Sequence, residues 1–265
     1  MLAPFEVLFE AELPSYVLPE ELSRLYGRLG FPDRVVYSNF VSSLDGVVSL
    51  GSGISAGSVI SAKHPADRFL MGLLRACADA VVIGAGTMRA TPGHLWTPAH
   101  VFPDLAESFR ALRSALGRGH DPRLVVLTST GKLDVKHPAL AKGATVLTTN
   151  AGAERIGDRL PDSCEVITVG AGKKLDMVRA LGEVGKRGFN VVLTEGGPHL
   201  MGQLIKAKLL DEMFLTLSPV LAGRDKERRL GMVEGVELMA SVPVWGRLLS
   251  ARRHADFLFL RYGLG

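Results

Sequence analysis

Short uninterrupted apolar runs recur along this chain with helix-spaced segments between them, and few folds accept that pattern. Residues 80–83, 123–127, 144–148, 165–169 and 191–193 read as buried strands. Residues 63–76, 104–116, 175–184 and a segment from Ala153 onward carry helical spacing. Strands that are apolar on both faces must be covered on both, as parallel sheets are. The pattern predicts an α/β fold of three layers, α/β/α, around a mostly parallel mixed sheet that also takes in a strand at 34–41. Toward the C-terminus, residues 213–217, 236–239, 247–251 and 257–261 read as strands with short links, so the sheet is predicted to end in antiparallel strands.

One strand leads into a turn with chemical consequences. Residues 190–205 read N-V-V-L-T-E-G-G-P-H-L-M-G-Q-L-I, which is strand, tight turn, helix. Gly196 and Gly197 allow φ > 0 and let another molecule approach the backbone, and Pro198 suits the first helical position, where its missing N–H costs nothing. The helix then offers free N–H groups and the positive end of its dipole to an anion such as phosphate. Glu195 stands at the carboxyl end of the strand, where open α/β sheets place ligands, and its carboxylate can accept from an N–H donor. The same residues read equally well as a plain chain reversal.

With 265 residues, 47% hydrophobic and 22% charged, the chain can bury one large core. Residues 1–33 hold Pro4, Pro14, Pro19 and a short amphipathic piece at 20–29, and read as an arm packed on a domain formed by residues 34–265. No apolar run reaches the roughly 18 residues of a membrane span, and no basic start is followed by an apolar core, so a soluble cytoplasmic protein is expected. The net charge of +4 is scattered, and four Tyr and two Trp offer few stacking surfaces, which favours small anionic ligands over nucleic acid. The mixed-sign run at 224–229, R-D-K-E-R-R, reads as a solvated loop. Cys77 and Cys164 lie beside apolar periodic segments and read as buried thiols, and the dispersed histidines give no metal-ligand spacing.

Several glycine-rich stretches fail as motifs. Gly53-Ile54-Ser55-Ala56-Gly57 matches the G-x-S-x-G of hydrolase nucleophile elbows but lacks the strand before it and the helix after it. Gly84-Ala85-Gly86-Thr87 ends the strand at 80–83, yet Arg89 stands where a dinucleotide fingerprint needs a small residue. Gly170-Ala171-Gly172-Lys173-Lys174 lacks the earlier Gly and the Ser/Thr of a phosphate loop. The hydroxyls of Thr128, Ser129 and Thr130 after the strand at 123–127 suit a ribose phosphate, and equally a capped turn.

Taken together, Ser43-Leu44-Asp45-Gly46, Leu74-Arg75 with Asp79-Ala80, Gly84 with Thr87, Thr194-Glu195-Gly196-Gly197-Pro198, Leu210-Asp211-Glu212 and Pro219-Val220-Leu221-Ala222-Gly223 resemble the riboflavin-pathway pyrimidine reductase family, in order and spacing, over residues 34–262. The resemblance implies a dihydrofolate-reductase-like fold and a homodimer. It also implies hydride transfer from NADPH to the open or imine form of a phosphoribosylamino-pyrimidine, giving a ribitylamino product. Under it, Gly84, Thr87, Ser129, Gly196 and the stretch Gly197, Pro198, His199, Leu200, Met201, Gly202 and Gln203 would contact NADPH, with Ser129 near the ribose 2′-phosphate. Arg75 and Glu195 would contact substrate, and Asn39 and Asp45 fall on the same side. Two bland alternatives stay open: Arg75 complementing its own helix C-terminus, and Asp45 shaping its turn.

The chain departs from that family on the substrate side. Asn39 stands where a lysine is usual, Gly57-Ser58-Val59-Ile60 where S-x-W-I is usual, and Ala90-Thr91-Pro92 where an acidic pair follows the threonine. These changes resemble a stand-alone branch without the deaminase domain. Reduction of a phosphoribosylamino-pyrimidine is the first expectation; reduction of a pterin or another heterocycle is the second, and noncatalytic nucleotide binding the third.

Overall fold

The computed structural model of the chain describes residues 2–51, 55–224, 229–239 and 243–264. Among these residues ten strands join one sheet: β1 (Glu6–Glu10), β2 (Val35–Ser42), β3 (Ala80–Gly84), β4 (Arg123–Thr128), β5 (Ala144–Thr149), β6 (Glu165–Gly170), β7 (Val191–Thr194), β8 (Glu212–Leu217), β9 (Arg247–His254) and β10 (Phe257–Gly263). Their order across the sheet is β1-β9-β10-β8-β2-β7-β3-β4-β5-β6. The seven strands from β8 to β6 are parallel, and β10, β9 and β1 are added antiparallel at one side. The helices are α1 (Glu20–Tyr26), α2 (Ala56–Ile60), α3 (Pro65–Cys77), α4 (Ala85–Ala90), α5 (Pro98–Val101), α6 (Ala106–Ala115), α7 (Pro138–Ala141), α8 (Asn150–Ile156), α9 (Met177–Lys186) and α10 (Pro198–Lys206).

Alternate residues of each strand feed opposite cores, which is why the strands are apolar throughout. Val81 and Ile83 pack with Phe69, Leu73 and Leu74 of α3 and with Phe109 and Leu112 of α6. Ala80 and Val82 turn to the other side, against Leu181 and Val184 of α9 and Leu200 and Leu204 of α10. The three layers and the antiparallel end agree with the sequence pattern.

Two stretches differ from it. Residues 236–239 form no strand. Both edges of β8 are already taken by β2 and β10, so this segment has no ladder to join and instead follows a loop across α10, where the Glu234 amide bonds the Pro198 carbonyl at 3.2 Å. Conversely, β1 pairs with β9 although all but one of its side chains are exposed, because backbone bonds and not an apolar face hold it there. The sequence carries no amphipathic signal for such a strand.

Topology places the site. From β2 the chain passes over β7 to β3 and runs outward to β6, then returns to β7 and crosses β2 to reach β8. The order reverses beside β7, and open α/β sheets leave a crevice at the carboxyl ends of strands at such a point. At the opposite end, Asp79 ties three strands together. Its Oδ2 accepts the amides of Asn190 (2.9 Å) and Val191 (2.8 Å), its Oδ1 accepts Arg118 Nε at 2.6 Å, and its carbonyl accepts the Arg123 amide at 2.9 Å.

Asp79→Ala is expected to lower the unfolding free energy by about 3 kcal/mol, the upper range for hydrogen bonds to a charged group. Urea unfolding should show a lower midpoint at constant slope. A loss below about 1 kcal/mol would mean that water replaces these bonds.

Candidate active site

A cavity of about 330 Å³ opens at the carboxyl ends of β2, β3 and β7, and Asn39, Thr87, Glu195, Gly196, Gly197 and Pro198 all line it. Glu195 continues β7 by one residue, its amide bonded to the Val82 carbonyl at 3.0 Å. Its carboxylate meets the last turn of α3. Arg75 Nε donates to Oε1 at 2.9 Å and Arg75 Nη2 to Oε2 at 2.6 Å, a two-pronged pair between residues 120 positions apart. Such pairs are the stronger kind of hydrogen bond and fix orientation as well as distance.

The Arg75 side chain is only 1% exposed. Its Nη1 donates to the carbonyls of Leu95 and Thr97, both at 3.3 Å, and Nη2 also meets His94 Nε2 at 3.0 Å. A guanidinium has no acceptor, so His94 Nε2 accepts and its proton sits on Nδ1. His94 is neutral there: burial and the adjacent Arg75 charge push it down to about 3. All five N–H groups of Arg75 are thus engaged. The arginine does more than complement its own helix end, since it reaches across to β7.

The turn after Glu195 corrects one expectation. Gly197 has φ −73° and ψ 176°, and neither it nor Gly196 has a positive φ, so these glycines supply space and not a left-handed backbone. A side chain on Gly196 would collide with Leu200. One on Gly197 would point toward Thr87, its Cβ 3.8 Å from Thr87 Oγ1, both in the cavity wall. Behind the turn, Leu200 and Met201 amides already bond the Gly197 carbonyl, at 3.0 and 3.1 Å. Among the described residues the amides of Gly197 and His199 have no acceptor, which leaves two donors at the positive end of α10.

The stretch expected to hold a cofactor therefore divides. Gly197 and Pro198 face the cavity, and His199 and Gln203 are exposed. Leu200 and Met201 are buried in the core. Gly202 is pressed against the Glu234 carbonyl, so its missing side chain serves packing between α10 and a loop and not ligand approach. Gly84 ends β3 as the residue before α4, which carries Thr87. Ser129 follows β4, one strand beyond β3; it does not line the cavity, and its carbonyl accepts Thr149 Oγ1 at 2.8 Å.

Asp45 is a second correction. Its carboxylate accepts the Ser43 hydroxyl at 2.6 Å and the amides of Ala222 and Gly223 at 3.0 and 2.7 Å, and it does not line the cavity. Those bonds, the Ser43 hydroxyl first, bring it down to about 2 and tie the turn after β2 to the 219–223 loop. Of the dismissed hydrolase motif, Gly53 and Ile54 lie outside the described residues, as do residues 225–228 of the mixed-charge run.

Sequence reading missed several cavity residues, Lys63, Asp67, Arg68, His94 and His100 among them. One signal was available: Asp67, Met71 and Arg75 recur at i, i+4 and i+8 on α3, and all three line the cavity. Asp67 is 4% exposed. Burial pushes its carboxyl up to about 6, against the hydroxyls of Thr216 and Ser61, which pull it down. A larger opening, about 490 Å³, lies at the amino ends of the strands near Asp79. Its arginines are engaged: Arg118 pairs with Asp79, Arg187 with Glu165 and Glu183, Arg113 bonds backbone carbonyls, and Arg123 bonds the Thr145 hydroxyl at 3.2 Å. Ligands of open α/β sheets bind at the other end.

A family model described as the RibD C-terminal domain matches residues 34–244. The chain belongs to the RibD C-terminal domain family. It is 27% identical over 217 residues to the riboflavin biosynthesis protein RibD of Escherichia coli, covering 82% of this chain and 56% of that protein. The chain thus spans just over half the length of that relative. It is 24% identical to the 2,5-diamino-6-ribosylamino-4(3H)-pyrimidinone 5′-phosphate reductase of Aquifex aeolicus, covering 76% of this chain and 83% of that one. Among solved structures, a pyrimidine reductase-like protein from Corynebacterium diphtheriae shares the fold, with a TM-score of 0.71 at 20% identity over 92% of this chain and 98% of that one. Acinetobacter baumannii RibD does so with a TM-score of 0.64 at 22% identity, over 88% and 58%.

In this RibD-family chain, Arg75→Met is expected to cost about 3–5 kcal/mol in unfolding free energy, because it leaves the Glu195 charge buried without a partner. Arg75→Lys should cost less while failing to hold both carboxylate oxygens. Equilibrium denaturation measures both. A Met variant as stable as the parent would show that Glu195 finds water in place of Arg75.

Proposed function

We propose that this protein is an NADPH-dependent reductase acting on the imine or open form of a ribosylamino-pyrimidine 5′-phosphate; the Aquifex relative is named as a reductase of such a phosphate. The observation that carries the reading is the pairing, in one cavity, of an arginine-held carboxylate with the open amino end of α10. Glu195 accepts N–H bonds from the pyrimidine, and Arg75 positions Glu195 without bonding the substrate itself. Asn39 offers a neutral amide to the same heterocycle. Lys63 and Arg68, the latter bonded through Nε to the Val101 carbonyl at 3.0 Å, supply positive charge for the 5′-phosphate.

The residues present fit a dinucleotide. The unbonded amides of Gly197 and His199 suit its pyrophosphate, and the bare face of Gly197 beside Thr87 gives it room. Gly84 opens the turn that brings Thr87 there, and Ser129, farther along the strand ends, suits the ribose 2′-phosphate. When bound, the reduced nicotinamide supplies the hydride; the protein's share is orientation and exclusion of water. A homodimer in the cytoplasm completes the proposal.

NADPH oxidation against a panel of ribosylamino-pyrimidine phosphates and pterins tests it. Turnover of the pyrimidines is expected; turnover of pterins alone would move the chain to the second substrate class, and none at all would end the enzyme reading. Gly197→Val is compatible with the observed φ and ψ, so it should fold with an unchanged melting temperature while NADPH affinity falls at least about tenfold. Fluorescence titration reads this, and unchanged affinity would place the pyrophosphate elsewhere. Ser129→Asp should abolish a preference for NADPH over NADH by like-charge repulsion. Equal dissociation constants for the two cofactors in the parent would remove Ser129 from the 2′-phosphate site.

A further inference from the structure

Two carboxylates share the cavity in opposite electrostatic settings. Glu195 accepts two N–H groups from a guanidinium, one on each oxygen. Asp67, in the first turn of α3, has no salt bridge among the described residues. The hydroxyls of Ser61 and Thr216 lie beside it, both nearly sealed from solvent, and Thr216 Oγ1 has no well-formed hydrogen-bond partner. The charged groups acting on Asp67 oppose one another: Arg68 from its own helix favours ionisation and Glu195 from the end of β7 disfavours it. Lys63, Arg75, His94 and His100 complete the titratable lining, with Arg75 committed to Glu195 and His94 neutral.

We propose that Asp67 is the proton donor of the reduction. The assignment rests on the reductase reading above. Reducing a C=N bond places a hydride on carbon and moves the π pair onto nitrogen, which then needs one proton. The hydride comes from a dihydronicotinamide, which leaves oxidised. As the new N–H bond forms the Asp67 O–H bond breaks, and solvent returns a proton to the carboxylate. Both Glu195 oxygens are committed to Arg75, whereas Asp67 has no salt bridge among the described residues. Burial that brings Asp67 up to about 6 keeps roughly a tenth of it protonated at neutral pH, near the optimum for an acid that must both give and regain a proton. Two carboxyl groups driven apart by their surroundings are a recurring way of dividing acid from anion in one site.

The test has two arms. In single-turnover reduction of the pyrimidine substrate at saturating NADPH, from about pH 5 to 9, the parent rate should fall as pH rises through about 6, because the protonated acid is lost. Asp67→Asn should react roughly a hundredfold more slowly and lose that limb, with NADPH affinity unchanged. Asp67→Ser replaces the Asn variant if the latter misfolds. In the second arm, ¹³C-carboxyl NMR of the aspartate-labelled protein should show a resonance titrating near pH 6 that is absent from the variant. A parent that reduces nothing in the panel sinks the reductase reading and this assignment with it. An active parent whose Asp67 variants keep the rate and its pH limb overturns the assignment alone, as does an Asp67 carboxyl that stays ionised down to about pH 4.

Discussion

Because a guanidinium that is 1% exposed with all five N–H groups bonded has no second place to go, the Arg75–Glu195 pair fixes the geometry of everything around it. It joins the end of α3 to the end of β7, and through the Leu95 and Thr97 carbonyls it also fixes the loop between α4 and α5. That loop carries His94, whose neutral ring completes the arginine's bonds and lines the cavity. One buried ion pair thus sets the positions of three walls. The pair also changes the meaning of an isosteric Gln at position 195. The amide would present N–H groups to a guanidinium that has only donors, so such a variant would disturb Arg75 as well as any ligand.

Much of this was legible from residue patterns because it depends on local chemistry. The apolar runs of β3, β4, β5 and β7 announce a sheet covered on both faces, and Gly-Gly-Pro after Glu195 announces a turn into a helix. Arg75 and Glu195 were each expected on the substrate side, and both line the cavity. Their pairing was not, since residues 120 positions apart meet only through the crossover that brings β7 beside β3. Asp67 was hidden for a different reason. An acidic residue in the first turn of a helix has an ordinary explanation in the helix dipole, and only burial against the cavity reveals its unusual state.

The misread positions share one physical theme. Gly202 is bare because the Glu234 carbonyl occupies the space a side chain would need, which no local pattern reports. Asp45 ties a turn to a loop nearly 180 residues later, a bond set by tertiary contact. The unformed strand at 236–239 has the right residues, but no free strand edge remains beside β8. In each case the competing claim came from a distant segment.

The departures on the substrate side gain sense from the charge balance of the cavity. A lysine at position 39, usual in the pyrimidine reductases this chain resembles, would put an ammonium in the space that Asp67 lines. A positive charge there favours the carboxylate and would draw Asp67 down toward the ordinary range. Asn39 adds no charge, and Arg75 is spent on Glu195, so burial, helped by the Glu195 charge, outweighs the Thr216 and Ser61 hydroxyls and Arg68 and keeps the acid elevated. The acidic pair missing at Thr91 and Pro92 removes two carboxylates from the same neighbourhood, where Thr91 instead bonds the Thr87 carbonyl at 2.9 Å. The chain exchanges a lysine and an acidic pair for neutral residues, and of the two carboxyl groups lining the cavity only Asp67 has no arginine partner, so the simplified electrostatics still leave a group placed to deliver a proton.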